Sequence, residues 1–486
     1  MSHHKLGGSQ RPAGLLAAAF LFATSVGLIA GEVVQLSPAV RAFVSLDAPT
    51  FAITHVRVID GTGAPAREDQ TVVVSGGEIL VVGDSAHTGT PLGAQVLDMP
   101  GHTLIPGLVG MHDHIFYPAG AGHYNTLEFS APRLYLACGV TTIRTTGSLE
   151  PYAELNMKKA INEGRMPGPR MHVTSPYLEG PGAFTFQMHE LSGPDEAVKF
   201  VQYWAAEGVD DFKCYTNIRR AELEAAIKEI HRLGLKITGH LCSIGFREAA
   251  ALGIDDLEHG LAVDTEFAPG KKPDVCPPAR EARASLLALD LESEPARAMI
   301  RDLVAHNVAV TSTLPVFEIS IPGRPPLDPR VLDAMSTETK LSYLTQRARV
   351  GEAKDSPWPA LLKKEMEFER AFVKAGGLLI AGPDPTGYGG VLPGFGDQRQ
   401  VELLVEAGFT PVESIRIATF NGAQYLGRQD RVGSLAPGKL ADMVLVKGNP
   451  DARIADIRNV VTVFKDGIGY DPAKLLEAVR GTAGIR

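Results

Sequence analysis

Six residues of this sequence have the types and spacing of a metal centre. Each lies in or directly after a short apolar run that is rich in β-branched residues. In chain order they are His112, His114, Lys213, His240, His259 and Asp384. Imidazole and carboxylate groups are ligands of zinc and similar divalent ions. Lysine is unusual inside an apolar run, because a buried cation is unfavourable unless it is paired.

Taken singly, each of these residues has an ordinary structural interpretation. A histidine at the end of a strand is more often a hydrogen-bonded structural residue than a metal ligand. Asp384 follows Gly-Pro and could simply be a turn residue. Their combination, in the order of the predicted strands, is what favours a shared site.

The elements that would position these residues alternate between apolar runs and amphipathic helical patterns. Eight candidate strands cover residues 102–113, 139–147, 170–176, 209–215, 235–241, 254–260, 308–314 and 377–384. The pattern between them is helical, as in 219–233, where apolar residues form one stripe. This alternation predicts an α/β fold, a (β/α)8 TIM barrel over residues 102–429.

The intervals between the candidate ligands fit whole β/α units. All six side chains are therefore expected at one mouth of the barrel, where the strands end and the βα loops begin. Residues i and i+2 of a strand share a face, so His112 and His114 can bind one ion while Asp113 points away. The longest connections, 260–306 and 314–376, are expected to contain lid or substrate loops.

Short strand patterns also occur at both ends of the chain, outside the predicted barrel. Segments 51–101 and 430–470 carry alternating β-branched runs with glycine at the turns. We predict that they form one small β-sandwich-like domain, built from both termini.

The N-terminal segment has the layout of an export signal. Lys5 and Arg11 precede an uncharged run, 13–30, and Glu32 follows it. A spanning helix needs about 20 apolar residues, so residues 1–31 are either a cleaved signal peptide or an uncleaved membrane anchor. We expect an exported protein, periplasmic or secreted, or one that is anchored to the membrane.

Composition excludes several classes of protein. An apolar content of 44% is enough to fill one large and one smaller core, so a disordered or fibrous chain is not expected. The net charge of −9 argues against a nucleic-acid surface, which would be basic. We expect a homo-oligomer that acts on a small molecule.

Four cysteines without C-x-x-C spacing are predicted to be free thiols: Cys138, Cys214, Cys242 and Cys276.

The motifs LIPGLVGMHDH, FKCY, ITGHL, LEHG, GPD and GSLAPGKLADMVLV occur in this order between about Val56 and Gly467. This pattern resembles the amidohydrolase superfamily, in its imidazolonepropionase and metal-dependent prolidase branch. The resemblance implies two divalent metals, zinc or a similar ion, bridged by a carbamate on Lys213. It implies that His112, His114 and Asp384 hold one metal, and that His240 and His259 hold the other. A hydroxide between the metals would attack the substrate, and Asp384 would act as base and then as acid.

Departures from the pattern narrow the expected substrate. Imidazolonepropionases usually lack the bridging lysine and carry an acidic residue where this chain has Ser243. The chain therefore looks closer to prolidase-like members, which cleave the amide bond of dipeptides or N-acyl amino acids. Three alternatives stay open: a cyclic-amide hydrolase of the imidazolonepropionase type, a deaminase or lactonase, and a non-enzymatic binding protein on the same fold.

Five residues are candidates for substrate contacts: Arg144, Phe184, Phe186, His189 and Tyr215. The aromatic residues follow the third and fourth predicted strands and could line an apolar pocket. Arg144 or His189 could bind a substrate carboxylate. Arg144 could equally pair with Glu258, which is a candidate for orienting the metal ligands.

Overall fold

The first part of the described chain supplies strands of a mixed sheet. The structure is a computed structural model that describes Met1 and residues 35–120, 123–386 and 390–485. After helix α1 (Pro38–Arg41) come β1 (Val44–Leu46), β2 (Thr50–Val58), β3 (Arg67–Ser75), β4 (Glu78–Asp84), β5 (Gln95–Asp98) and β6 (His102–Pro106). Most β-branched side chains of β2 and β3 are buried, as expected for strands with a packed face.

A barrel of eight parallel strands follows. In spatial order its strands are β7 (Leu108–Asp113), β10 (Val140–Thr145), β11 (Arg170–Leu178), β12 (Asp211–Cys214), β13 (Ile237–Gly239), β14 (Asp256–Glu258), β15 (Ala309–Ser312) and β16 (Leu379–Ala381). Beyond β16, the backbone N–H of Asp384 donates to the carbonyl of His112 at 3.0 Å, which brings the last strand against the first. The predicted (β/α)8 TIM barrel is confirmed.

Helices connect the barrel strands on the outside. They are α2 (Ser130–Ala137), α3 (Pro151–Asn162), α4 (Pro194–Glu207), α5 (Arg220–Arg232), α6 (Phe246–Leu252), α7 (Ala279–Ala288), α8 (Glu294–Ala305), α9 (Leu314–Glu318), α10 (Pro329–Ala334), α11 (Thr337–Gly351), α12 (Trp358–Lys374) and α13 (Phe395–Ala407). Helix α5 buries Leu223, Ala226, Ile227 and Ile230, the stripe that the sequence predicts. The two longest connections hold the additional helices α7 and α9 to α11. A two-stranded hairpin, β8 (Phe116–Gly120) and β9 (His123–Thr126), follows β7.

The chain then returns to the mixed sheet. Beyond α14 (Pro411–Arg416) and α15 (Gly422–Tyr425), it adds β17 (Met443–Lys447), β18 (Val460–Lys465) and β19 (Ile468–Tyr470), and it continues into α16 (Pro472–Ala478). Strand β17 pairs antiparallel with β6, with Leu445 opposite Leu104. A separate sheet built from both ends of the chain is thus present, and its strands extend over 44–106 and 443–470.

The predicted first barrel strand, residues 102–113, is wrong at its start. The apolar run divides at Gly107, so that β6 belongs to the mixed sheet and β7 to the barrel. A Cβ atom at Gly107 would lie 2.1 Å from Thr141 Oγ1, so glycine is required where the chain passes from one sheet to the other. The run itself is continuously apolar because both strands are buried.

The prediction of four free thiols is wrong for one pair. Cys242 and Cys276 form a disulfide, with Cα atoms 5.1 Å apart, whereas Cys138 and Cys214 are free and buried. The loops after β13 and β14 bring the pair together across 34 residues of sequence, a separation that carries no local signature.

From Leu36 onward the described chain forms one compact unit. The predicted signal peptide or anchor, including the run 13–30, lies outside the described residues. Among the described residues, none of the helices has both the length and the apolar character that a membrane span requires.

Candidate metal centre

The barrel strands place all six candidate ligands at the same mouth. His112 lies in β7 and Lys213 in β12, while His240 and His259 directly follow β13 and β14. Asp384 comes three residues after β16. His112, His114, Lys213 and His259 are almost fully buried, and His240 is partly exposed. The side chain of Asp384 keeps 12% exposure, so the centre has limited contact with solvent.

Asp384 is the residue around which the histidines gather. Its Oδ1 lies 3.3 Å from His114 Nε2 and 3.6 Å from His112 Nε2, and its Oδ2 lies 3.9 Å from His259 Nδ1. Three potential ligand atoms, one each from His112, His259 and Asp384, lie within 4.8 Å of one another. The ring of His240 continues the group, with its centroid 4.4 Å from that of His259.

The grouping differs in one respect from the one that the family resemblance implies. The resemblance assigns His259 to the second metal with His240, whereas here His259 also stands close to His112, with ring centroids 4.6 Å apart. The sharing of ligands between two metals therefore stays a prediction.

The backbone is shaped to bring the ligands together. His259 and Asp384 have φ values of 69° and 54°, in the left-handed region that non-glycine residues rarely adopt. Such residues cost about 1–3 kcal/mol each and persist where the surrounding structure fixes them. A Cβ at Gly382 would lie 2.1 Å from the backbone nitrogen of His112, so only glycine allows the close approach that places Asp384 beside His112.

A buried carboxylate supports the ligands from within the barrel. Glu258 Oε2 accepts a hydrogen bond from His112 Nδ1 at 2.6 Å, and Oε1 accepts from Arg144 Nη2 at 2.9 Å and from Thr238. Lys213 Nζ lies 3.6 Å from the same Oε1. Donation from Nδ1 leaves the Nε2 lone pair of His112 available, and Nε2 is the atom that faces Asp384.

Burial sets the charge states of the group. It lowers the pKa of His112 and of His259 well below the ordinary value, and that of His240 to about 4. These three rings are neutral at physiological pH, the form that binds metals. Burial alone would raise the pKa of Asp384, but the nearby rings of His112 and His114 lower it below its usual range. Burial also lowers the pKa of Lys213, against the opposing effect of Glu258.

The donor set fits a divalent metal. Among the described residues, Lys213 Nζ and His114 Nδ1 are buried and have no hydrogen-bond partner. Buried polar atoms without partners are rare in folded proteins and call for an explanation such as a missing ion. Imidazole and carboxylate groups are ligand types that suit a divalent metal ion.

Two of the predicted substrate contacts have protein partners in the structure. Arg144 is fully buried, and its Nη2 donates to Asp256 at 2.7 Å as well as to Glu258. The alternative pairing with Glu258 is the one observed, and contact of Arg144 with a substrate carboxylate stays a prediction. His189 is exposed and bonds Glu196 through Nε2 at 2.8 Å, and its contact with a substrate stays a prediction.

The predicted aromatic contacts have different outcomes. The ring of Tyr215 lies 4.9 Å from that of His240, and Phe184 lies 5.6 Å from Tyr215. Phe186 is 76% exposed. The sequence predicts that Asp113 points away from the metal ligands. In the structure the Asp113 side chain is buried, and it lies against Gly110 together with that of Asp397.

Sequence reasoning missed several neighbours of the site. The ring of Phe116 stacks on that of His114 at 4.3 Å, and Phe317 lies 6.1 Å from His259. Thr313 Oγ1 bonds His259 Nδ1 at 2.8 Å. Their position directly after β7 or β15 is the signal that could have found them, because residues that follow barrel strands line the mouth.

Comparisons with known proteins agree with this fold. A model of the Amidohydrolase family matches residues 390–468. Adenine deaminase 4 of Rhizobium meliloti is 37% identical over 70 residues, which is 14% of this chain and 12% of that enzyme. The matched segment thus spans about an eighth of the deaminase.

Two further proteins match over most of their length. The imidazolonepropionase of Herpetosiphon aurantiacus is 24% identical over 470 residues, covering 82% of this chain and 91% of that enzyme. A crystal structure of a Xaa-Pro dipeptidase with bound methionine in the active site has a TM-score of 0.65 at 20% identity, covering 87% of this chain and all of that one. Together with the barrel, these matches support the resemblance to the amidohydrolase superfamily.

Proposed function

We propose that this protein is a metal-dependent hydrolase that cleaves the amide C–N bond of a dipeptide or an N-acyl amino acid. The observation that carries the proposal is the position of Lys213 and Asp384, which lie inside the barrel mouth with the four histidines. The similarity to a structure described as a Xaa-Pro dipeptidase supports the dipeptide class.

The chain's own residues suit a two-metal arrangement. His112, His114 and Asp384 would hold one ion, and His240 and His259 the other. The lowered pKa of Lys213 favours the neutral amine, which is the form that adds to carbon dioxide, releasing a proton and leaving a carbamate between the two sites. A bound pair of divalent ions would lower the pKa of a water molecule and polarise the substrate carbonyl.

Asp384 is suited to move the proton. Its lowered pKa keeps the carboxylate ionised at neutral pH, and Thr386 Oγ1 donates to its Oδ1 at 2.9 Å. Asp384 would accept a proton from the attacking water and deliver it to the leaving amine, acting as base and then as acid.

Metal analysis of the purified protein and of two lysine variants tests the proposal. The wild type should hold two metals per chain, and Lys213→Ala should lose at least one of them together with amide cleavage. Lys158→Ala is the matched control, because Lys158 pairs with Asp210 away from the candidate ligands. Equal metal content and activity in all three proteins would contradict the two-metal assignment.

A substrate panel separates amide hydrolysis from the alternatives. It should contain dipeptides, N-acyl amino acids, a cyclic amide, an aminopurine, and lactone and ester analogues. Cleavage of dipeptides or N-acyl amino acids is the expected result. Turnover of lactones or esters without amide cleavage would reject the proposal, and release of ammonia from the aminopurine alone would indicate a deaminase.

A further inference from the structure

A series of aromatic rings borders one side of the candidate metal centre. In order, the rings belong to His114, Phe116, Tyr124, Phe184, Tyr215 and His240. Successive centroids are 4.3, 5.6, 5.8, 5.6 and 4.9 Å apart. The series thus runs without a break from one candidate ligand to another. We call its four non-ligand members, Phe116, Tyr124, Phe184 and Tyr215, the aromatic arc.

The aromatic arc is assembled from three separate βα loops. Phe116 and Tyr124 come from the β8–β9 hairpin, Phe184 from the loop after β11, and Tyr215 directly follows β12. Gln187 ties two of these loops together, since its side chain accepts from the backbone N–H of Tyr124 at 3.2 Å and donates to the carbonyl of the same residue at 3.3 Å. The arc is therefore held in place by bonds between loops.

Exposure along the aromatic arc is uneven. Phe116 is almost fully buried beside His114, whereas Phe184 is 52% exposed although its ring packs against both Tyr124 and Tyr215. Large apolar side chains exposed beside a candidate site commonly mark a binding surface. All four members present π faces or edges, and none carries a formal charge.

We propose that the aromatic arc binds an aromatic ring that the substrate carries next to its scissile amide, and that Phe184 is the residue that selects it. Offset and edge-to-face ring contacts are favourable and require a flat apolar partner. This inference rests on the proposed function, because it describes which dipeptides or N-acyl amino acids the site accepts.

Matched substrates test the inference. With the metal-loaded enzyme, kcat/KM is measured for three substrates. N-acetyl-alanine has no aromatic ring, N-acetyl-phenylalanine carries the ring on the amine side of the amide, and N-benzoyl-alanine carries it on the acyl side. At least one aromatic substrate should exceed N-acetyl-alanine by about tenfold or more, in the range that apolar pocket contacts provide. Phe184→Ala should abolish this advantage, and Phe184→Tyr should retain it.

Phe129→Ala is the matched control, because Phe129 is also exposed but is covered by the Arg133 guanidinium and lies outside the arc. This variant should behave as wild type. An absent aromatic advantage, or one that survives in Phe184→Ala, would overturn the inference while leaving amide hydrolysis intact.

A binding measurement decides the inference even without turnover. Calorimetric titration of the metal-loaded protein with phenylalanine and benzoate, the aromatic products of the two substrates, should show binding of at least one of them. Phe184→Ala should weaken it about fivefold or more, and Phe129→Ala should not. If no amide is cleaved but this pattern holds, the proposed function fails and the aromatic subsite stands. If neither product binds, or Phe184→Ala binds equally well, the subsite is refuted.

Discussion

Replacement of Glu258 by glutamine tests how the metal centre is held. Glu258 is fully buried and accepts hydrogen bonds from His112 at 2.6 Å and from Arg144 at 2.9 Å, while Lys213 Nζ lies 3.6 Å away. A carbamylated lysine keeps one N–H group. Glu258 can therefore orient two candidate ligands that come from different strands.

The magnitude follows from the number of donors that Glu258 faces. An amide of the same size has one accepting oxygen and an NH₂ group, so at least one of the donors from His112, Arg144 and Thr238 loses its partner. Loss of a partner behind a metal ligand weakens metal binding about 10- to 100-fold, which corresponds to about 1.4–2.7 kcal/mol. Arg144 keeps its bond to Asp256 at 2.7 Å. The free energy of unfolding should therefore fall by about 1–3 kcal/mol, less than for an uncompensated buried charge.

Zinc affinity is measured by competition with a chelator, and stability by urea unfolding of the metal-free protein. Glu369→Gln is the matched control. Glu369 is a buried glutamate of α12, and burial raises its pKa to about 8, so its side chain is neutral at pH 7. A zinc affinity of Glu258→Gln within about twofold of wild type would refute the role of this carboxylate, whatever the effect on unfolding.

Further predictions concern charge, metal and pH. Asp384→Asn should lower kcat by about 10²–10⁴-fold in steady-state assays of amide cleavage. His189→Ala should leave kcat/KM within about twofold of wild type, since surface pairs contribute little, and a tenfold loss would return His189 to the site. Chelation should lower the midpoint of thermal unfolding, and an unchanged midpoint would argue against a metal bound in the native state. Burial raises the pKa of Glu154 from 4.5 to about 8. Between these pH values the folded state keeps a proton that the unfolded state releases. The stability that this proton contributes is therefore present below pH 4.5 and is lost as pH rises to about 8. Glu154→Gln should therefore gain stability relative to wild type between pH 5 and pH 8 by about 3–4 kcal/mol, measured by urea unfolding, and a constant difference would contradict the assignment.

The barrel and its mouth were predictable because they depend on local patterns. Strands β13 and β14 have three residues each, yet their apolar runs end in His240 and His259, and parallel strands of a barrel must end at one face. Spacing by whole β/α units then brings distant ligands together without knowledge of a single tertiary contact. Tyr215, which directly follows β12, lies beside His240 at the same mouth.

The partners of the ligands were not predictable from spacing, because they are set by side chains that cross the barrel. Whether Arg144 meets a substrate or the carboxylates of Asp256 and Glu258 depends on the barrel's radius and on which face of β10 turns inward. The disulfide between Cys242 and Cys276 and the contact of Phe116 with His114 are likewise contacts between loops. Loop conformation is not fixed by the apolar periodicity that identifies strands.

Charge balance inside the barrel links carbamylation of Lys213 to metal binding. Without metal, the Arg144 guanidinium and the Lys213 amine face the carboxylates of Asp256 and Glu258 at close range. Burial, together with the charge of Glu258, already raises the pKa of Asp256 to about 6, so this interior tolerates little additional negative charge. Conversion of the neutral amine of Lys213 to a carbamate would make the region more negative by one charge, in a site that also holds an ionised Asp384. Divalent cations are the groups that offset such a change in a buried site. Carbamate and metals should therefore stabilise one another, and neither is expected to persist alone.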